Sequence, residues 1–224
     1  FPTEFMNPSV ESPGFMSEFS LQLMKWSGWY STVDTTYSMA YDLGKGTSTF
    51  LDTACPSTSD FCSTLDTAGC SKDYMSKTTC SEFTNFMGTC KYMKNDGKYC
   101  SKNANDYTAD ASETYGHGSR CFMSGTAPKC MTATCPTANT VTISKGTTTV
   151  TCSSNGASVT LGTTQVTCPA DLTDFCTRLG NACPNDCSGF GLCMQNKKCH
   201  CIDGYINNDC SNNVGGPIST DLPP

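Results

Sequence analysis

TANTVTISKGTTTVTCSSNGASVTLGTTQVTC, residues 137–168, is the stretch that sets the fold class. Val141 and Ile143 alternate with threonine and serine, and the pairs Val150 and Cys152, Val159 and Leu161, and Val166 and Cys168 repeat the pattern. Side chains alternate across a strand, so a period of two puts each apolar pair on one face and the hydroxyls on the other. β-Branched residues suit such a pleated, half-buried surface. The alternation breaks at Lys145-Gly146, Asn155-Gly156 and Leu161-Gly162-Thr163, and Asn-Gly between two such runs is a hairpin signal. The stretch predicts a small four-stranded antiparallel meander with threonine on its wet face. The composition also fits an O-glycosylated stalk, but the regular alternation and the turn signals favour strands.

Outward from this stretch, cysteine dominates. The chain has 224 residues, 18 of them cysteine, with 15% charged and 37% hydrophobic residues and a net charge of −6. That apolar fraction lies below the usual ~45–50%, so the core is thin for the length and covalent bridges must supply part of the stability. An even number of cysteines at wide, irregular spacing argues for an oxidising compartment, hence an extracellular or cell-surface location. Zinc knuckles fit poorly, because C-x2-C pairs are absent and His117 and His200 are the only histidines. The 14 Lys and Arg are scattered, with Lys197-Lys198 the one adjacent pair and no basic stripe, which excludes nucleic acid as an expected partner. No run of about 18 apolar residues exists, so no transmembrane segment is expected in this chain. Asn7-Pro8-Ser9 carries the excluded proline, so N-glycosylation is not expected. The opening Phe1-Pro2-Thr3-Glu4 shows no export signal, and the chain reads as a processed or partial product.

The N-terminal part is organised around a helix. Asn7-Pro8 favours a turn, and Ser12-Pro13 places a capping serine before a proline at the first helical position. Met16, Phe19, Leu23 and Trp26 follow at helical period, Leu21 and Met24 widen the stripe, and Gly28 closes it. A helix over 13–27, buried on more than one side, is expected, with Trp29, Tyr30, Tyr37, Met39 and Tyr41 packed against it and Gly44-Lys45-Gly46 turning the chain. Residues 50–135 carry nine cysteines and few apolar runs, and read as loops and short helices pinned by bridges, with a turn at Asn95-Asp96-Gly97. Spacing leaves the connectivity among Cys55 to Cys176 open. Residues 212–224 read as a flexible tail, without the hydrophobic end of a GPI signal. The fold class expected is thus α+β and disulfide-rich: an N-terminal helix, an irregular cysteine-stapled body, a β meander and a small cysteine-rich module.

That module, residues 181–211, holds Cys183, Cys187, Cys193, Cys199, Cys201 and Cys210 at gaps of three, five, five, one and eight residues, with Gly204-Tyr205 in the last gap. The pattern resembles a short EGF-like module of the type found in tenascin-like and integrin-like arrays. The resemblance implies the bridges Cys183–Cys193, Cys187–Cys199 and Cys201–Cys210. Calcium-binding members carry acidic and amide ligands just before the first cysteine. Leu179-Gly180-Asn181-Ala182 supplies no such set, so no calcium site is expected.

The catalytic inventory is poor. His117 lies between glycines and His200 between two cysteines, both expected at the surface. No H-E-x-x-H is present to offer two zinc imidazoles and a general base, and no G-x-S-x-G either. Every cysteine has a plausible partner, so a thiol nucleophile is not expected, and no carboxylate pair stands out.

A second resemblance lies in the order of several short pieces. Thr3-Glu4-Phe5-Met6-Asn7-Pro8, then Phe19-Ser20-Leu21-Gln22-Leu23-Met24 and Ser27-Gly28-Trp29-Tyr30, resemble the segment after the zinc site of leishmanolysin-type metallopeptidases, the GP63 family of metzincins. Phe50-Leu51 with Cys55, Gly118-Ser119-Arg120-Cys121-Phe122, and Thr151-Cys152 with Thr167-Cys168-Pro169 and Phe175-Cys176 continue the match, the last group resembling the family's C-terminal β segment. The resemblance covers roughly residues 1–178. It implies that Met6 is the Met-turn methionine, a hydrophobic floor beneath zinc-binding histidines, and that the helix 13–27 ends a catalytic domain whose base Trp26, Trp29 and Tyr30 close. Residues 1–44 would then finish that domain, and 45–180 would form its cysteine-rich C-terminal domain. The family's histidine ligands precede the Met-turn and are not in this sequence. The chain alone is expected to bind no metal and to be inactive, with zinc held by the parent protein's upstream metalloprotease portion, covalently joined or as an associated chain. Expected partners are that portion and protein substrates or surface proteins. The alternative from the same residues is a non-catalytic structural or adhesive extracellular protein with a protease-like scaffold.

Overall fold

The computed structural model describes residues 18–38, 61–82, 91–102, 112–202 and 204–215. Most of the regular structure is antiparallel β, with few helices and eight disulfides among the described residues, so the fold is a disulfide-rich α+β one. The described residues fall into two compact units: 61–181 form one, and 18–38 with 182–215 form the other.

The larger unit contains two four-stranded sheets. Strands β1 (Phe61–Cys62), β2 (Ala68–Cys70), β3 (Ser76–Glu82) and β4 (Lys91–Tyr99) form one in the order β1-β4-β3-β2. Strands β5 (Ser119–Ser124), β6 (Ala127–Thr137), β7 (Thr140–Lys145) and β8 (Thr148–Cys152) form the other in sequence order, and β9 (Ser158–Leu161) with β10 (Thr164–Thr167) makes a separate hairpin. The expected strands over 137–168 are therefore present, but as two hairpins rather than one meander. Val141 lies opposite Cys152 and Ile143 opposite Val150, which sets these apolar pairs on one face. The Asn155-Gly156 signal is not a tight hairpin. It lies in the link between the hairpins, where Asn155 Oδ1 accepts from the Leu172 amide at 3.1 Å and the Gly156 amide donates to the Pro169 carbonyl at 2.9 Å. The first hairpin instead extends the sheet begun by β5 and β6.

The region 50–135, read as loops and short helices, is thus largely β where described. Its strands are rich in Lys, Ser and Thr, and their burial comes from bridges and a second sheet rather than from apolar runs. Asn95-Asp96-Gly97 lies inside β4 instead of ending a strand. Ser76 pairs with Tyr99 and Thr78 with Asn95, so β4 carries extra residues there. Gly97 takes the left-handed conformation, φ +72°, and its amide donates to Asn95 Oδ1 at 2.8 Å. The turn signal has become a β-bulge.

The main core joins the apolar faces of β5–β8 and of the β9–β10 hairpin to helix α2 (Leu172–Gly180). Residues Phe175-Cys176, grouped above with a β segment, are helical. Asp171 caps α2, its carboxylate accepting from the Asp174 amide at 2.9 Å, and Leu172, Phe175 and Cys176 are buried. Phe175, Phe122 and Tyr74 form an aromatic group, with centroids 4.9 Å apart for Tyr74–Phe175 and 5.7 Å for Phe122–Phe175. Burial holds the Tyr74 phenol's pKa above its ordinary 10.0. Cys135–Cys176 ties β6 to α2, Cys152–Cys168 ties β8 to the end of the second hairpin, and Cys62–Cys80 ties β1 to β3.

In the smaller unit, α1 (Glu18–Ser27) begins the described chain, and the expected start at Ser12-Pro13, with residues 13–17, lies outside the described residues. The cysteine-rich module pairs β11 (Gly191–Cys193) with β12 (Cys199–Cys201) and β13 (Tyr205–Ile206) with β14 (Asn212–Asn213). Cys183 is bonded to Cys193, Cys187 to Cys199 and Cys201 to Cys210. Phe190 stacks on Tyr205 with centroids 4.1 Å apart. The expected flexible tail from residue 212 is corrected at its start, because β14 is held in a ladder and the Val214 amide donates to the Gly204 carbonyl at 2.8 Å.

Ile143 is fully buried and Thr149 is exposed. Ile143→Ala should lower the unfolding free energy by about 2–5 kcal/mol and Thr149→Ala by less than about 0.5 kcal/mol, as read by denaturant unfolding with the bridges intact.

Candidate functional site

The described residues bring together one buried group of ionisable side chains. Lys77 on β3 forms an ion pair with Glu113, and the two side chains are 14% and 5% exposed. Its ammonium also lies 5.5 Å from the centre of the Tyr115 ring. Glu113 is used on every side: Oε1 also accepts from the Cys130 amide at 3.0 Å, and Oε2 accepts from the Tyr115 hydroxyl at 3.3 Å. Burial alone would lower the pKa of Lys77, but its hydrogen bonds to Glu113 and Tyr115 and their charge outweigh that, and the net shift is upward from 10.5. The group holds the segment before β5 against β3. Its carboxylate is already committed to three donors, so it is built for fastening rather than for proton transfer to a substrate. Sequence reasoning missed it, because its members come from two separated segments.

Among the described residues, the two histidines lie in separate units and the clustered cysteines are already bonded. His117, in the larger unit, is exposed. His200 belongs to the smaller unit, where its Nδ1 lies 2.8 Å from the Tyr37 hydroxyl and the two rings meet edge to face at 5.8 Å. Cys183, Cys187 and Cys199 have sulfurs within 4.8 Å of one another, a spacing that suits a metal ion. All three sulfurs are in disulfides, which removes the thiolates a metal would need. Met6 lies outside the described residues. A peptidase zinc needs three protein ligands and an open position. Among the described residues, two histidines in separate units and a bridged cysteine trio do not fit that requirement.

One expected feature is overturned. Trp26, Trp29 and Tyr30 were expected to pack down with the helix stripe, but they are 76%, 86% and 55% exposed, and Leu23 is 53% exposed. Tyr37 is also exposed, whereas Ser20 and Leu21 are buried. The reason is the way the segment is held. The Gln195 and Asn196 amides of the module donate to the Ser38 and Thr36 carbonyls at 2.9 and 3.2 Å, and Gln195 Nε2 donates to Ser38 Oγ at 2.9 Å and to Glu18 Oε2 at 3.4 Å. These bonds fasten the start of α1 and the strap 34–38 to the module. The end of the helix, from residue 25, stays exposed. Met39 and Tyr41 lie outside the described residues, as does the Gly44-Lys45-Gly46 turn.

With this geometry in hand, comparison with known proteins adds no relative: no family model, no curated protein and no solved structure matches the chain.

The buried ion pair can be tested by itself. Glu113→Ala leaves the Lys77 charge without its partner and should cost about 3–5 kcal/mol, whereas replacing both by Met and Leu should cost much less. A raised lysine pKa means its stabilising contribution is full below about pH 10.5 and lost as pH rises through the folded-state value. Alkaline unfolding curves should therefore fall more steeply for the wild type than for the Lys77→Met/Glu113→Leu double variant. A double variant as unstable as Glu113→Ala would contradict this reading.

Proposed function

We propose that this chain is the non-catalytic C-terminal portion of a secreted or cell-surface zinc endopeptidase of leishmanolysin type. The reading rests first on the order of the sequence pieces from Phe5-Met6-Asn7-Pro8 to Phe175-Cys176. The structural observation that carries it is the use made of reactive groups. Among the described residues, Lys77, Glu113 and Tyr115 hold one another, and the clustered cysteines are closed into bridges. Such a body serves as scaffold. The chemistry then belongs to zinc ligands of the parent protein, with the chain acting outside the cell, where its bridges persist.

A structural or adhesive extracellular protein is the second reading. It is favoured by the stapled module to which the start of α1 is fastened.

Zinc analysis separates the two. The native protein purified from its source should carry zinc and cleave peptides in a chelator-sensitive manner, while the 224-residue chain alone should do neither. Native protein without zinc and without cleavage would overturn the peptidase reading and leave the adhesive one.

A further inference from the structure

Among the described residues, two bridges cross from the first four-stranded sheet to the second, and their four sulfurs meet in one buried cluster. Cys70, at the end of β2, is bonded to Cys121 of β5, and Cys100, just past β4, is bonded to Cys130 of β6. Cys121 and Cys130 are partners in the β5–β6 register, so their side chains share one face. Their main chains show which kind of pair they form. The Cys121 amide donates to the Tyr74 carbonyl at 2.7 Å, the Cys130 amide donates to Glu113 Oε1 at 3.0 Å, and the Cys130 carbonyl accepts from the Thr114 amide at 2.8 Å. These groups are turned away from the partner strand, which makes this a non-hydrogen-bonded pair. Such pairs set their Cα atoms about 4.5 Å apart and bring side chains closest in a ladder. A disulfide spans Cα separations of ~4.4–6.8 Å. Half-cystines of two different bridges therefore stand where a third bridge between them could form.

Access gives the exchange a direction. Cys100, Cys121 and Cys130 are fully buried, whereas Cys70 is only partly buried. A thiolate from outside meets Cys70 Sγ first, and attack there makes Cys121 the leaving group. The released Cys121 thiolate faces Cys130 across the ladder. Its attack on Cys130 Sγ breaks Cys100–Cys130 and releases Cys100.

We propose that these four cysteines form a thiol–disulfide exchange site, at which a single dithiol opens both bridges between the sheets. The first thiol of the reductant bonds to Cys70 as Cys70–Cys121 breaks. Cys121 then bonds to Cys130 as Cys100–Cys130 breaks. The second thiol of the reductant attacks the first and frees Cys70. Two protein bridges have become one, Cys70 and Cys100 end as thiols carrying the two protons of the dithiol, and the dithiol ends as its own disulfide. The new Cys121–Cys130 bridge lies inside the second sheet. The seam is then left to the Lys77–Glu113 ion pair and to hydrogen bonds such as that from the Cys121 amide to the Tyr74 carbonyl. The exchange site is independent of the peptidase reading.

The test uses the full oxidised chain and dithiothreitol in limiting amount under native conditions, with iodoacetamide quenching, digestion without reduction and mass spectrometry. The first partly reduced species should carry alkylated Cys70 and Cys100 together with a Cys121–Cys130 link. Removing the relay should protect the second bridge: Cys70→Ala/Cys121→Ala should lose Cys100–Cys130 at least about tenfold more slowly than the wild type. Alkylation at Cys70 and Cys121 with Cys100–Cys130 intact would overturn the proposal, because that is plain reduction without transfer. Equal rates of loss in the wild type and the double variant would overturn it too, as would loss of all bridges together or a Cys121–Cys130 link already present in untreated protein. If circular dichroism shows the double variant unfolded, the wild-type map decides alone.

Discussion

Four sulfurs at the junction of the two large sheets hold the body of this protein together. Cys121 and Cys130 stand directly opposite each other on β5 and β6, yet each is bonded elsewhere: Cys121 to Cys70 of β2, and Cys130 to Cys100 just past β4. Cys100, Cys121 and Cys130 are fully buried, with Cys70 and Tyr115 packed around them. The backbone follows the same path, for the Cys121 amide donates to the Tyr74 carbonyl at 2.7 Å and the Cys100 amide to the Met75 carbonyl at 2.8 Å. On a chain-entropy account, closing loops of 51 and 30 residues contributes roughly 4 kcal/mol each. That is a large share of the ~5–15 kcal/mol by which domains are usually stable. A chain with this few apolar residues depends on it.

The other features of the larger unit build on that junction. Glu113 reaches the Cys130 amide, so the Lys77–Glu113 pair sits beside the sulfurs and closes the same seam. Tyr74, whose carbonyl meets the Cys121 amide, turns its ring into the main core against Phe175. One seam therefore positions the first sheet, the second sheet and α2. The smaller unit uses the same economy differently: its core cluster is built of bridged cysteines, Cys183, Cys187 and Cys210, with the Phe190–Tyr205 stack packed against it and a strap beside it.

The sequence was informative where a local period had one meaning. The alternation at Val141, Ile143, Val159 and Val166 marked strands because each faces the core within its own hairpin. It could not say that the two hairpins separate, since the partner of β7 is β6, whose Pro128, Lys129 and Cys130 hide the pattern. Helix α2 was legible but passed over: Asp171 followed by Leu172, Phe175, Cys176 and Leu179 is a capped amphipathic turn. The Lys77–Glu113 pair was not legible, because no local rule joins two charges on separate segments. The stripe through Leu23 and Trp26 misled for another reason. Helical period shows which residues share a face and says nothing of what covers that face.

Because the sulfur junction orders everything else in the larger unit, the most direct test is its connectivity. Proteolysis without reduction, followed by mass spectrometry, should yield linked peptides joining Cys70 to Cys121 and Cys100 to Cys130. Recovery of a Cys121–Cys130 or Cys70–Cys100 link in their place would contradict the account of how the two sheets are joined.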